Sequence, residues 1–193
     1  MKYILFISLL FISCSKNSES NSINEDENLT SETEQVSNEY YEIYLLEQLN
    51  ENRGYCIDIK GSKLNADPDN GLQAHTCYSY QGEVSVDQGF DNVKIDEDEF
   101  YMPFFDVCME AENTSASSTL NLKGCNKNEK QKFKFNNNAE IVLNDNTNLC
   151  LTVSENSREG GGGTPTHLIR DLILDNCSTD ISTRQRWGLR KAQ

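Results

Sequence analysis

Residues 56–59 read CIDI, residues 72–77 read LQAHTC and residues 88–90 read QGF. In this stretch one cysteine opens a short apolar segment, a second cysteine ends a segment that begins with leucine, and a glutamine stands two positions before an aromatic residue. The same order returns twice, as CMEA, LNLKGC and QKF at residues 108–111, 120–125 and 131–133, and as CLTV, LILDNC and QRW at residues 150–153, 172–177 and 185–187. When one supersecondary unit recurs at a regular spacing along a chain, the copies pack together and bury a shared core. The chain is therefore predicted to contain three copies of one unit.

This pattern resembles the ricin B-type β-trefoil lectin domain, whose repeats carry Cys-hydrophobic-Asp-hydrophobic, Leu-x-x-x-x-Cys and Gln-x-Trp. The resemblance runs from about Glu42 to Arg190. It implies an all-β fold, a β-trefoil of three repeats in which the Gln-x-aromatic ring fills the core and the glutamine ties a turn. The three rings here are Phe90, Phe133 and Trp187, so two of them lack the indole N–H.

The cysteines bear on both pairing and compartment. Six of the seven lie in the repeats. Sequence alone leaves many pairings of six cysteines open, and the repeat register selects one bridge within each repeat. These bridges are Cys56 with Cys77, Cys108 with Cys125, and Cys150 with Cys177. Such bridges persist only in an oxidising compartment. No CxxC or cysteine–histidine spacing is present, which argues against zinc, and we expect no metal or cofactor.

The N-terminus has the pattern of an export signal. It begins with Met-Lys, and residues 3–12 are almost wholly apolar, which is too short for a bilayer span and typical of a signal peptide. The following Ser13 and Cys14 resemble the end of a bacterial lipoprotein signal. This resemblance predicts a signal peptide over residues 1–13 and a lipid on Cys14 that attaches the exported protein to a bacterial membrane, at the outer membrane or cell surface. The alternative is an ordinary secreted protein that loses Cys14 with its leader.

Composition divides the rest of the chain at residue 40. Residues 15–39 are mostly Ser, Asn, Glu and Thr, which cannot offset their ordering entropy by burial. We therefore expect a disordered tether over residues 14–39 and the trefoil domain over residues 40–193.

The chain has 17 basic against 31 acidic residues, a net charge of −14. Such a balance argues against a nucleic-acid partner, because binding to phosphates needs a basic surface.

Short β-like segments separated by turn-rich connectors follow from residue 40 onward, which indicates a closed all-β barrel. The predicted strands are residues 43–46, 55–59, 73–77, 90–95, 105–111, 120–123, 131–135, 140–143, 149–153, 172–174 and 186–189. The run Gly160–Gly163 is predicted to be a surface loop, since no Lys-Ser/Thr follows it as in a phosphate-binding loop.

A sugar site needs a carboxylate that accepts hydrogen bonds from hydroxyl groups, a flat ring and an amide. In ricin-type repeats these groups come from fixed positions. Carried over to the first repeat, the resemblance implies a carbohydrate site of Asp58, Gln73, His75, Asp87 and Gln88. Histidine is a smaller stacking ring than the usual tryptophan or tyrosine. Binding is expected chiefly through this repeat.

The other two repeats are less complete. The second keeps a carboxylate and an amide, Glu110 and Asn121, but has Lys123 where the ring is expected. The third has Thr152 and Ile173 at the corresponding acid and polar positions and is predicted to be structural. Glycans are therefore the expected partner, and the second repeat is a weaker candidate site.

Catalysis has little support in the sequence. The chain has two histidines and no HExxH or GxSxG motif. The acidic residues of 67–70 lack the spacing of an EF-hand calcium loop. We therefore expect a lectin without enzymatic activity. The alternative is a protein-binding trefoil, of the adhesin or protease-inhibitor type, that uses its surface loops.

Overall fold

The computed structural model describes residues 40–191. The predicted signal peptide of residues 1–13, the lipidated Cys14 and the tether of residues 14–39 lie outside the described residues. No helix within the described part is long and apolar enough to cross a membrane.

Strands dominate the described residues. They are β1 (Glu42–Leu45), β2 (Tyr55–Ile59), β3 (Leu72–Thr76), β4 (Tyr101–Met102), β5 (Val107–Ala111), β6 (Ser118–Lys123), β7 (Phe133–Phe135), β8 (Ile141–Leu143), β9 (Asn146–Val153), β10 (Arg158–Glu159), β11 (Leu168–Arg170), β12 (Leu172–Asn176) and β13 (Trp187–Arg190). One short α-helix, α1, spans Asn92–Asp96. Short 3-10 helices lie at Lys63–Asn65, Pro68–Asn70, Tyr78–Gln81, Val86–Gln88, Glu129–Gln131 and Thr179–Arg184.

The strands form two antiparallel sheets. One has the order β10-β11-β3-β2-β1-β13, and the other has the order β4-β5-β6-β12-β9-β8-β7. Each repeat contributes one long hairpin, namely β2 with β3, β5 with β6, and β9 with β12. The predicted all-β trefoil architecture is confirmed.

Each hairpin carries its own disulfide. Cys56–Cys77, Cys108–Cys125 and Cys150–Cys177 are bonded, with Cα atoms 4.9, 5.1 and 5.0 Å apart. The pairing taken from the repeat register is confirmed. Each bridge joins the strand that contains the first cysteine to the residues just after its partner strand, so the two strands that carry the candidate site residues are held side by side.

The three Gln-x-aromatic rings lie in the shared core. Phe90, Phe133 and Trp187 are completely or almost completely buried. The Trp187 indole N–H donates to the backbone carbonyl of Leu151 at 2.9 Å, a hydrogen bond that the two phenylalanines cannot make. The smaller rings are accommodated by further aromatic packing, since Phe100 lies edge-on to Phe90 and Phe133.

One predicted strand was wrong, and three short strands were not predicted. Residues 90–95 do not form a strand: Phe90 makes only an isolated bridge with Tyr41, and α1 follows. The reason is helix capping, because the Asp91 carboxylate accepts the backbone N–H groups of Val93 and Lys94. The short strands β4, β10 and β11 were missed, and β10 and β11 flank the predicted loop at Gly160–Gly163.

Candidate functional site

The glutamine of Gln-x-aromatic makes the same hydrogen bonds in every repeat. Its side-chain oxygen accepts the backbone N–H of the residue after the second cysteine, and its amide nitrogen donates to the carbonyl before that cysteine. The amide also donates to the side chain two residues after the first cysteine. These pairs are Gln88 with Asp58, Gln131 with Glu110, and Gln185 with Thr152, at 3.0, 2.9 and 2.8 Å. The predicted structural role of the glutamine is confirmed, and the acid position of each repeat shares in it.

In the first repeat the carboxylate is closed off from solvent. Asp58 is 1% exposed, and its two oxygens accept from the side-chain amides of Gln73 and Gln88 at 2.9 and 3.0 Å. Burial, reinforced by the nearby charge of Asp87, raises the pKa of Asp58 well above its ordinary value. Three of the predicted sugar ligands are therefore brought together, but they bind one another.

Asp87 is also buried and bound within the protein. Its carboxylate accepts the hydroxyl of Ser85 and the backbone N–H of Lys63. The Lys63 ammonium lies over the ring of Tyr78, 5.3 Å from its centroid. The loop after β2 is thus hydrogen-bonded to the first-repeat cluster, by which we mean Asp58, Gln73, His75, Asp87 and Gln88.

The predicted stacking residue is covered by a loop from the third repeat. We define residues 158–168 as the third-repeat loop. Its His167 lies edge-on to His75 and to Tyr78, with centroid distances of 5.1 and 5.4 Å. Both histidines are buried, and burial lowers the pKa of each. The His75 ring therefore packs against Tyr78 and His167 within the protein.

Hydrogen bonds pin this loop to the first repeat. Arg53 donates to the backbone carbonyls of Pro165 and Thr166 at 2.9 and 3.0 Å. Glu51 holds the Arg53 guanidinium through two contacts of 2.7 Å, and this hydrogen bonding lowers the pKa of Glu51 to about 2. The Thr76 hydroxyl, on β3, accepts the N–H of Leu168 at 2.8 Å. Strand β11 extends the same attachment by pairing with β3.

The second repeat is more open. Glu110 is half-buried, and its Oε2 atom accepts from Asn128 and Gln131 at 2.9 Å each. The Oε1 atom accepts no hydrogen bond among the described residues and lies 3.8 Å from the Lys130 ammonium. Asn121 stands opposite Glu110 in the hairpin, and its side-chain amide makes no hydrogen bond there either. A carboxylate oxygen and a side-chain amide that accept and donate no hydrogen bond among the described residues therefore share one face of the hairpin.

The third repeat offers no comparable group. The Thr152 hydroxyl donates to the Cys150 carbonyl at 2.9 Å and accepts from Gln185. Arg184 donates to the backbone carbonyl of Val153. These contacts belong to the turn, in agreement with the predicted structural role of this repeat.

No thiolate is available for a metal among the described residues. The groupings with metal-ligand spacing there are a glutamate beside each disulfide, namely Glu42, Glu99 and Glu140 with their neighbouring cysteines. Sulfur atoms that are bonded to each other cannot act as thiolate ligands.

Comparison with known proteins agrees with this architecture. The family model of the ricin-type beta-trefoil lectin domain matches residues 46–187. The chain therefore belongs to that family. No curated protein matches the sequence.

Solved structures show the same fold at low identity. The C-half of the earthworm R-type lectin, in complex with GalNAc, is 13% identical with a TM-score of 0.52, covering 79% of this chain and 98% of that one. The designed three-fold symmetric protein ThreeFoil is 16% identical with a TM-score of 0.55, covering 78% and 96%. The mdaA-1 domain is 14% identical with a TM-score of 0.54, covering 78% and 88%. At these identities the likeness concerns the fold.

Proposed function

We propose that this protein binds glycans without catalysing a reaction on them. Support comes from its family, from the GalNAc complex of the earthworm lectin, and from the groups on the second-repeat hairpin. The observation that carries the proposal is that Glu110 Oε1 and the side-chain amide of Asn121 lie opposite each other in the hairpin and make no hydrogen bond within the described residues. A carboxylate oxygen accepts hydrogen bonds from sugar hydroxyls, and an amide both donates and accepts.

The sequence assigned binding chiefly to the first repeat, and that assignment stays a prediction. In the described conformation the oxygens of Asp58 are occupied by Gln73 and Gln88, and His167 covers His75. A sugar can reach this cluster only if the third-repeat loop and the loop after β2 move. The geometry therefore supports the second repeat as the site that binds first.

Binding at the second repeat should be weak. Lys123 replaces the expected stacking ring and is exposed, so the site has polar contacts and little apolar area. A monosaccharide held in this way should bind at roughly millimolar Kd, about −4 kcal/mol. The test is a glycan array probed with the full chain, with the reduced and unfolded chain as control. Signals that are equal for the folded and unfolded chain would refute the proposal.

Export and membrane attachment are part of the same proposal and rest on the sequence. The apolar segment of residues 3–12 and the Ser13-Cys14 that follows would direct the chain to lipidation. Several weakly binding copies confined to one surface gain avidity of roughly 10²–10⁴. Mass spectrometry of the membrane fraction should find an acylated N-terminal Cys14, and Cys14→Ser should release the protein. An unmodified mature chain that starts beyond Cys14 would contradict this part.

One observation favours the alternative of protein binding. A groove of about 790 Å³ beside the first repeat is lined by Lys63, Leu64 and Ser85, and Leu64 is 66% exposed. Val84 and Val86 line the same groove, and a contiguous apolar surface of this kind marks a protein contact. Leu64→Ser should abolish capture of such a partner and leave glycan signals unchanged, which separates the two functions.

A further inference from the structure

A second surface feature presents positively charged groups, in contrast to the negatively charged carboxylate of Glu110. A pocket of about 210 Å³ is lined by Asn52, Arg53, Ser79, Tyr80 and Arg190, and we call it the arginine pocket. It gathers two guanidinium groups in a chain whose net charge is −14. None of its residues belongs to the predicted sugar ligands.

Both guanidinium groups are held in place and keep spare donors. Arg53 uses Nε and Nη2 on the Glu51 carboxylate, while its Nη1 donates one hydrogen bond, to the Pro165 carbonyl. Arg190 uses Nε on Glu42, and its Nη2 lies 3.3 Å from the Ser79 hydroxyl. The Nη1 group of Arg190 has no hydrogen-bond partner within residues 40–191. Fixed N–H groups of this kind match the planar oxygens of a carboxylate.

Tyr80 supplies a flat surface at the same place. Its side chain is 47% exposed, and the Arg53 guanidinium lies 5.3 Å from its ring centroid. The Tyr80 hydroxyl is fixed by His167 Nε2 at 3.0 Å and by the Gln81 amide at 2.8 Å. The ring therefore keeps its orientation without a ligand, which lowers the entropic cost of binding one.

We infer that the arginine pocket binds a carboxylate-bearing sugar residue of an acidic glycan. The carboxylate accepts from the spare N–H groups of Arg53 and Arg190, and the sugar ring lies against the exposed side of Tyr80. This inference rests on the proposed glycan binding and extends it. The two sites offer a sugar different groups, because the second repeat presents a carboxylate and the arginine pocket presents guanidinium groups.

The test compares two sugars that differ in one group, methyl β-glucuronide and methyl β-glucoside, by calorimetric titration of the full chain. The wild-type chain should bind the acid about tenfold more tightly, because a hydrogen bond between two charged groups is stronger than one between neutral groups. Arg190→Gln should remove this preference, and Tyr80→Ala should weaken the binding of both sugars. Arg158→Gln is the matched control, since Arg158 is an exposed, ion-paired arginine outside the pocket, and the preference should survive there.

A second variant guards against misfolding, because Arg190 is the ion-pair partner of the buried Glu42. Arg190→Lys keeps that charge and loses the planar fork, so it should fold and still lose most of the preference. Equal affinities in the wild-type chain, or a preference that persists in both Arg190 variants, would overturn the inference. If glycans bind on the array and lose affinity in Glu110→Gln, but the wild-type chain shows no preference for the acid, the inference about the arginine pocket is refuted and the proposed function stands. Absence of all glycan binding would refute the proposed function and this inference together.

Discussion

The imidazole of His167 packs edge-on against the imidazole of His75, with ring centroids 5.1 Å apart, although the two residues belong to different repeats. His75 stands where the first repeat would offer a ring to a sugar, and His167 stands in the third-repeat loop. One repeat therefore closes the candidate pocket of another.

Removing this cover should open the first repeat on the side of the third-repeat loop. His167→Ala deletes the ring that packs on His75 and Tyr78, at a stability cost of about 1–3 kcal/mol. We expect the variant to bind glycan more tightly than the wild-type chain in calorimetric titrations. The gain should disappear in His167→Ala/Asp58→Asn. Unchanged affinity in a folded His167→Ala chain would show that the first repeat is not a latent site.

Acidification should loosen the same contact. Burial lowers the pKa of His75 and of His167, so the folded chain resists protonation that the unfolded chain accepts near its ordinary value of about 6.5. Below that value the unfolded state binds more protons. The stabilisation by these histidines is therefore fully present above pH 6.5 and is lost as the pH falls towards their folded pKa values.

Urea unfolding at about pH 7.5 and 5.5 measures this loss. The free energy of unfolding should fall less between these two pH values in His167→Gln than in the wild-type chain. Asp58 acts in the opposite direction, because its raised pKa makes the folded chain more stable as the pH falls. The comparison with His167→Gln isolates the histidine contribution. Imidazole pKa values of His75 and His167 at or above the ordinary value of about 6.5, measured by NMR titration, would contradict the prediction.

The buried Asp58 should matter for stability as well as for binding. Asp58→Ala leaves the amides of Gln73 and Gln88 without their acceptor, which should cost about 1–3 kcal/mol. Asp145→Ala, on an exposed turn, is the control and should change stability by less than about 0.5 kcal/mol. Equal unfolding midpoints for the two variants would refute the structural role of Asp58.

The Gln-x-aromatic rings offer a matched comparison of core packing. Trp187→Phe makes the third repeat resemble the other two and removes the hydrogen bond from the indole N–H to the Leu151 carbonyl. The carbonyl loses its partner and a small cavity remains, so we expect a loss of about 2–4 kcal/mol in thermal or urea unfolding. Stability equal to wild type would mean that the third repeat already tolerates the smaller ring.

The repeat pattern predicted the disulfide register and the structural glutamines because these depend on contacts within one repeat, and the family resemblance carried by the same pattern implied the trefoil. Phe90, Phe133 and Trp187 occupy equivalent core positions for the same reason. The position of His167 could not be predicted in this way. It depends on pairing between β11 and β3, which are far apart in sequence and have no counterpart in the motif.

Burial of the first-repeat cluster was equally hidden from the sequence. Asp58, Gln73 and Gln88 have the same residue types whether they face a sugar or one another. Which of these occurs depends on the loop at Lys63 and on the third-repeat loop, whose contacts are long-range. The one available signal was the length of the third repeat, whose cysteines are 27 residues apart against 21 and 17 in the others.

The most direct test of glycan binding is a calorimetric titration of the full chain with the glycan that gives the strongest array signal, comparing Glu110→Gln with Glu129→Gln. Both variants remove one negative charge from the same repeat, and Glu129 is exposed. In Glu110→Gln the new side-chain carbonyl can still accept from Gln131, so the fold is kept while the acceptor Oε1 is replaced by an amide nitrogen. We predict at least about a tenfold loss of affinity for Glu110→Gln, the effect of roughly 1.4 kcal/mol, and wild-type affinity for Glu129→Gln. Wild-type affinity in both variants would contradict the assignment of the second repeat as the glycan site.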